Sequence, residues 1–206
     1  QFIGDTIQVL RGPQSKFTVN NDTGCSNLQV TFRNNSVGAV KSEWDYEGDQ
    51  TIDYVGFSNK HTYAAGSFAP MLITTASNAC TDTLKQSVKI RSYEHPLIDF
   101  TQTGDSICYQ TTLQFFAQSK GLSTVKKWLW DFGQNYSYTD TSTQSNPKYT
   151  FTQSLNSVVT LLAFDQNNCS DTAQHLVHVH DTAGIPSKPI HYVSVDNNNI
   201  RVQWAQ

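Results

Sequence analysis

Trp44-Asp45-Tyr46 and Trp130-Asp131-Phe132 are one three-residue pattern written twice, and each copy stands between two cysteines. Cys25 falls on Cys108 before the motif, and Cys80 falls on Cys169 after it. Between motif and second cysteine, Lys60-His61-Thr62-Tyr63 falls on Lys148-Tyr149-Thr150-Phe151. Cys80-Thr81-Asp82-Thr83 then matches Cys169-Ser170-Asp171-Thr172. The offset drifts by a few residues from anchor to anchor, as loop-length changes between shared strands would produce. Self-similarity of this kind means one structural unit built twice. It leaves three readings of the motif: a duplicated active site, a pair of metal loops, or one fold element repeated.

The units read as β-structure. Leu28, Val30 and Phe32 alternate with Gln29, Thr31 and Arg33, and Val177 and Val179 alternate with His178 and His180. The run from Val158 to Ala163 is largely apolar on both faces, as a central strand would be. Short alternating runs separated by Gly, Asn, Asp, Ser and Pro clusters predict about seven strands per unit and no helix. The expected fold is all-β, two tandem immunoglobulin-like sandwiches with alternating inward residues. Within 206 residues this gives two domains of about 80–100 residues, at 15–92 and 93–182. Residues 1–14 read as the end of a preceding module or linker, and 183–206 as a linker and the start of another domain.

Charge is sparse, at 15% charged residues and net −3, so the basic stripe that nucleic-acid binding needs is missing. The polar content is mostly Thr, Ser, Asn and Gln interleaved with aromatics, a β-rich extracellular composition. No apolar run reaches the roughly 18–20 residues of a membrane-spanning helix. Gln1 is followed by no signal-like segment, and the expectation is a window cut from a longer array.

The four cysteines show no C-x-x-C spacing, which removes the usual support for zinc or thioredoxin-like sites. One cysteine precedes the second strand and one precedes the last strand in each unit. This placement predicts Cys25–Cys80 and Cys108–Cys169, each within its own domain. Closing loops of about 60 residues would stabilise each domain by at most roughly 4 kcal/mol. Such bonds imply an oxidising compartment, extracellular or at the cell surface.

The residues carry a resemblance to PKD domains, the polycystic-kidney-disease repeat. That family's hallmark is Trp-Asp-Phe-Gly-Asp-Gly followed by Asn-Pro-x-x-x-Tyr/Phe. Unit two has Trp130-Asp131-Phe132-Gly133-Gln134-Asn135 and then Asn146-Pro147-Lys148-Tyr149-Thr150-Phe151. Unit one is looser, with Trp44-Asp45-Tyr46-Glu47-Gly48-Asp49 and then Asn59-Lys60-His61-Thr62-Tyr63. The Cys-x-Asp-Thr ending is similar to PKD modules of Bacteroidota surface proteins, many of them gliding-motility-associated or secreted by the type IX system. "IPSKPIHYVSVDNNNIRVQW" resembles the opening two strands of a fibronectin type III domain, with Trp204 as its core tryptophan. Adhesion or structural spacing outside the cell is what these resemblances imply.

Candidate chemistry is thin. Asp45, Glu47 and Asp49 form an acidic trio that is a weak calcium candidate, but the matching Asp131, Gly133 and Asn135 carry too few charges. The hallmark Trp and aromatic sit two apart and share a strand face, so they belong in the core, while the Asp between them suits the following turn. His175, His178 and His180 do not converge in a strand, so a metal is not expected there. Tyr136, Tyr138, Tyr54 and Phe57 are candidate glycan contacts, against ordinary cross-strand packing. Asp-Ser/Thr sequences of the kind that Bacteroidota O-glycosylate occur at Thr6, Thr83, Ser106, Thr172 and Thr182, against a plain turn role. There is no nucleophile elbow or phosphate loop, and no enzyme or cofactor is expected. Expected partners are other domains of the same long chain, surface glycans or cell-envelope proteins, without nucleic acid or membrane insertion. The chain reads as structural spacer or interaction modules, with a carbohydrate- or protein-binding accessory module as the alternative.

Overall fold

The computed structural model describes residues 10–85, 89–134 and 140–181, together with the backbone of 190–196 and 199–204. Among the described residues every regular element is a β-strand. The first repeat contributes β1 (Phe17–Val19), β2 (Thr23–Cys25), β3 (Leu28–Asn34), β4 (Lys41–Asp45) and β5 (Tyr54–Val55). It continues with β6 (Ser58–Tyr63), β7 (Gly66–Phe68), β8 (Met71–Thr75), β9 (Thr81–Lys85) and β10 (Ile90–Tyr93). The second contributes β11 (Ile98–Gln102), β12 (Ser106–Cys108), β13 (Thr112–Ser119) and β14 (Val125–Asp131). Then come β15 (Thr141–Ser142), β16 (Lys148–Thr150), β17 (Ser157–Asp165) and β18 (Ser170–His180).

The two repeats share one topology. β1-β3-β6 in the first corresponds to β11-β13-β16 in the second. The other sheet of the second repeat runs β12-β18-β17-β14-β15, and the first repeat has the same order in two pieces, β2-β10-β7 and β5-β4-β8-β9. Its last strand is divided into β9 and β10 where β18 is continuous, and β7 and β8 stand where β17 is continuous, so it has ten strands to the second repeat's eight among the described residues. In both repeats a short early strand pairs parallel with the last strand, Cys25 opposite Tyr93 and Cys108 opposite His180. The chain is therefore all-β, with two immunoglobulin-like sandwich repeats in tandem. Beyond them β19 (Ile190–Asp196) and β20 (Asn199–Trp204) form an antiparallel hairpin.

By packing, the chain divides into two compact units. One is Gln1–Ile98 with Ser119–Lys127 and Ala163–Asp171; the other is Asp99–Gln118 with Trp128–Leu162 and Thr172–Gln206. Alternation decides which side chains enter each core. In β3, Val30 and Phe32 are buried while Gln29 and Arg33 are exposed. In β17, Val159, Leu161 and Ala163 are buried and Val158 faces out. The aromatic packing repeats as well. Phe17 meets Trp44 edge-on at 5.2 Å and 74°, and Phe100 meets Trp130 at 5.0 Å and 73°. Trp44 stacks on Tyr46, and Trp130 on Phe132, both at 6.2 Å between ring centroids. Edge-on pairs of this kind add about 0.5–1.5 kcal/mol beyond the apolar area they bury.

Candidate functional site

β4 ends at Asp45, whose buried carboxylate organises the chain that follows. Its Oδ1 accepts the N–H groups of Gly48 at 2.6 Å and Asp49 at 3.2 Å, and its Oδ2 accepts that of Gln50 at 2.7 Å. Asp53 closes the turn: its Oδ2 accepts the Tyr46 N–H at 2.7 Å, and its N–H donates to the Trp44 carbonyl at 2.8 Å. Gly48 has φ 76°, and a Cβ there would collide with the Ala69 carbonyl oxygen, so the turn requires glycine. The indole N–H of Trp44 donates to the Gly56 carbonyl at 2.8 Å.

The second repeat rebuilds this arrangement with other residues. Asp131 Oδ1 accepts the Gly133 N–H at 2.8 Å, Gly133 has φ 69°, and its Cβ would meet the Val158 carbonyl oxygen at 2.5 Å. Gly133 thus stands in space where Gly48 does, although alignment from the tryptophan sets it against Glu47. Trp130 donates its indole N–H to the Gln144 carbonyl at 2.8 Å. Gln134, which sequence reasoning missed, is buried and ties the turn to the 152–157 loop. Its Oε1 accepts the N–H groups of Thr152 at 2.6 Å and Gln153 at 3.2 Å, and its Nε2 donates to the Gln153 carbonyl at 2.9 Å. Nothing local marks it, because the groups it satisfies arrive from a distant loop.

The acids of the first repeat converge differently from the expected trio. Asp45, Glu47 and Asp53 bring candidate ligand oxygens within 4.8 Å of one another, whereas Asp49 accepts the Thr51 N–H at 2.8 Å. Asp53 takes the place that sequence spacing assigned to Asp49, because the turn carries it back beneath Tyr46. Both oxygens of Asp45 and one of Asp53 already accept backbone N–H groups.

Burial, a hydrogen bond with Asp53 and repulsion from that carboxylate push Glu47 up to about 7. His61 Nε2 lies 2.9 Å from Glu47 Oε1, and burial lowers the imidazole, with Asp53 opposing. A carboxyl whose folded value is raised binds more protons in the folded state, so its contribution to stability falls as pH rises from about 4.5 to about 7. The lowered His61 acts in the opposite direction, so the comparison must isolate Glu47. Melting temperatures measured at pH 5 and pH 8 should therefore differ between the natural chain and Glu47→Gln. The variant should gain relative stability at pH 8, and identical pH profiles would contradict the raised Glu47 carboxyl.

The cysteines correct the expected pairing. Cys25 is bonded to Cys169, with Cα atoms 5.5 Å apart, and Cys80 and Cys108 are free thiols. Both bonded residues lie in the first compact unit, which includes Ala163–Asp171. Neither Cys25–Cys80 nor Cys108–Cys169 forms, and the reason is the parallel pairing of the early strand. Cys169 precedes β18, and Cys108 faces the other end of that 11-residue strand, a rise of about 35 Å. A disulfide needs Cα atoms within about 7 Å. Cys80 and Cys25 are likewise set at the opening of β9 and beside the end of β10.

The three histidines have separate partners: His175 with Asp99 at 3.0 Å, His178 with Asn156 at 3.1 Å and His180 with Ser106 at 3.0 Å. Tyr54 packs against the first core, which leaves Phe57, 54% exposed, as the aromatic candidate there. Thr83, Ser106 and Thr172 are exposed, and the acids beside two of them have structural work. Asp82 Oδ2 accepts the Ser15 N–H at 2.6 Å, and Asp171 Oδ2 accepts the Ile98 N–H at 3.0 Å. Tyr136, Tyr138, Asn135, Thr6 and Thr182 lie outside the described residues, as does the side chain of Trp204.

No family model matches the sequence, and no curated protein matches it. Among solved structures, the chain is similar to the PKD1 domain of the Vibrio cholerae metalloprotease PrtV. The identity is 25%, over 42% of this chain and 98% of that one, with a TM-score of 0.35. It is similar to the PKD1 domain of Vibrio anguillarum Epp at 19% identity, over 42% of this chain and 95% of that one, with a TM-score of 0.35. Fibronectin(III)-like modules of Clostridium thermocellum CbhA give 10% identity, over 85% of this chain and 100% of theirs, with a TM-score of 0.40.

Proposed function

We propose that the two repeats are non-catalytic spacer modules of a secreted or cell-surface protein, PKD-like in kind, that hold other domains of a longer chain apart. The supporting observation is what becomes of the repeated motif. Trp44, Tyr46, Trp130 and Phe132 are buried, and Asp45 and Asp131 are engaged by the turns that follow them. What recurs between the repeats is therefore scaffold. The Cys25–Cys169 disulfide fits an oxidising compartment, and no helix among the described residues is long and apolar enough to cross a membrane. A Bacteroidota surface protein with a gliding or type IX secretion context is the finer form of this reading, and it rests on the resemblance of the Cys-x-Asp-Thr endings.

A second reading, a glycan-binding accessory module, draws on one place in the second repeat. A groove beside the hallmark turn is lined by Asp131, Gln153, Leu155, Asn156 and Val158, where carboxylate and amide groups suited to sugar hydroxyls stand beside apolar side chains. Glycan-array binding by the intact chain separates the two readings. The spacer reading expects no signal above background and a resistance to unfolding that falls on reduction. A signal abolished by Tyr136→Ala with Tyr138→Ala, or by Asn156→Ala, would overturn it. Intact mass of natively secreted protein tests O-glycosylation at the Asp-Ser/Thr sites, where the bare mass with disulfides alone would remove that idea.

A further inference from the structure

Cys80 and Cys108 are the two thiols that the fold does not use, and each occupies a copy of a bonded cysteine's surroundings. Around Cys25, the next residue, Ser26, donates its N–H to the Tyr93 carbonyl at 2.7 Å, and Asn27 has φ 63°. Around Cys108, Tyr109 donates its N–H to the His180 carbonyl at 2.9 Å, and Gln110 has φ 65°. Each cysteine ends a short strand paired in parallel with the end of the last strand.

The other pair matches as closely. Cys169 follows Asn168 at φ 61° and its carbonyl accepts the Asp165 N–H at 2.9 Å. Cys80 follows Ala79 at φ 65° and its carbonyl accepts the Ala76 N–H at 2.9 Å. The chain leading into each repeat also runs past this turn in the same way. Ile98 and His95 bond Asp171 and Ser170 beside Cys169, at 3.0 and 2.7 Å. Ser15 bonds Asp82 at 2.6 Å, and the Arg11 carbonyl accepts the Asn78 amide at 3.1 Å beside Cys80.

The one disulfide formed joins the early cysteine of the first repeat to the late cysteine of the second. We propose that this is the unit step of a ladder, and that Cys80 and Cys108 are its open ends. Cys80 takes the early cysteine of a repeat on one side, and Cys108 takes the late cysteine of a repeat on the other. The partner in each case is a further copy of this repeat, on the same polypeptide or on a second one. The chemistry is thiol–disulfide exchange. One thiolate attacks the disulfide of an oxidised dithiol donor to give a mixed disulfide, the second thiolate displaces the donor sulfur, and the donor leaves as a dithiol. Two thiols and one donor disulfide thus give one new disulfide and two donor thiols. The proposal stands on cysteine geometry and not on the spacer reading, so either can fail alone.

Two measurements test it. In the purified 206-residue chain, alkylation without reduction should label Cys80 and Cys108, and reduction should expose Cys25 and Cys169 as well. A Cys25–Cys80 or Cys108–Cys169 peptide would overturn the ladder at its first step. In the protein from its natural source, non-reducing peptide mapping should find Cys80 linked to a cysteine that ends a short strand. It should find Cys108 linked to a cysteine of the Cys-x-Asp-Thr kind. A monomer on a non-reducing gel places the partners on the same chain, and covalent multimers that collapse on reduction place them on another. Free Cys80 and Cys108 in that protein, or partners outside such repeats, would overturn the proposal.

Discussion

Replacing Trp130 with alanine should cost the second repeat about 3–5 kcal/mol, the range for truncating a large buried aromatic. The ring is 1% exposed and touches Phe100, Phe115 and Phe132 at centroid distances of 5.0, 5.5 and 6.2 Å. A cavity left at that position has rigid strands on both sides and collapses poorly. The substitution also leaves the Gln144 carbonyl without the indole N–H that reaches it at 2.8 Å. Trp130→Phe keeps much of the apolar contact but not that donor, and should cost about half as much. Denaturant unfolding followed by circular dichroism resolves the difference. A loss below about 1 kcal/mol for Trp130→Ala would contradict the core assignment.

The second large effect is expected at Asp45, and its size should separate the two repeats. Asp45→Ala removes the acceptor of three backbone N–H groups in a buried turn, and about 3 kcal/mol is the expected loss. Asp45→Asn keeps one good acceptor oxygen and should fall between. Asp131 is exposed and accepts one N–H among the described residues, so Asp131→Ala should cost about 1 kcal/mol. Equal losses at the two acids would mean that the turns are held in the same way, which the bond distances deny.

The same contrast shows where residue order was informative. Trp-Asp-aromatic spacing put Trp44 and Tyr46 on one face, and their rings stack in the core, while Asp45 between them is buried as well because it holds the turn that follows β4. The diverging histidines follow from that rule too. Asp53 was not legible beside Asp45 and Glu47, since its approach depends on how a turn of several residues closes. Gln134 was hidden for a similar reason: a loop from 152 to 157 supplies the groups it binds.

The cysteines draw the line most sharply. Each early cysteine ends the second strand instead of preceding it, while Cys80 and Cys169 stand just before the strands that close each repeat, β9 and β18. Order along a chain does not say which end of a strand a residue stands beside. The parallel pairing of β2 with β10, and of β12 with β18, is a long-range choice that sets each early cysteine at the far end of the last strand. Residue order alone thus established a duplicated, alternating β-fold with its aromatic cores, because repeats and periodicity are written locally. Strand pairing alone decided that neither pair closes within its own repeat, because a covalent bond depends on distance in space.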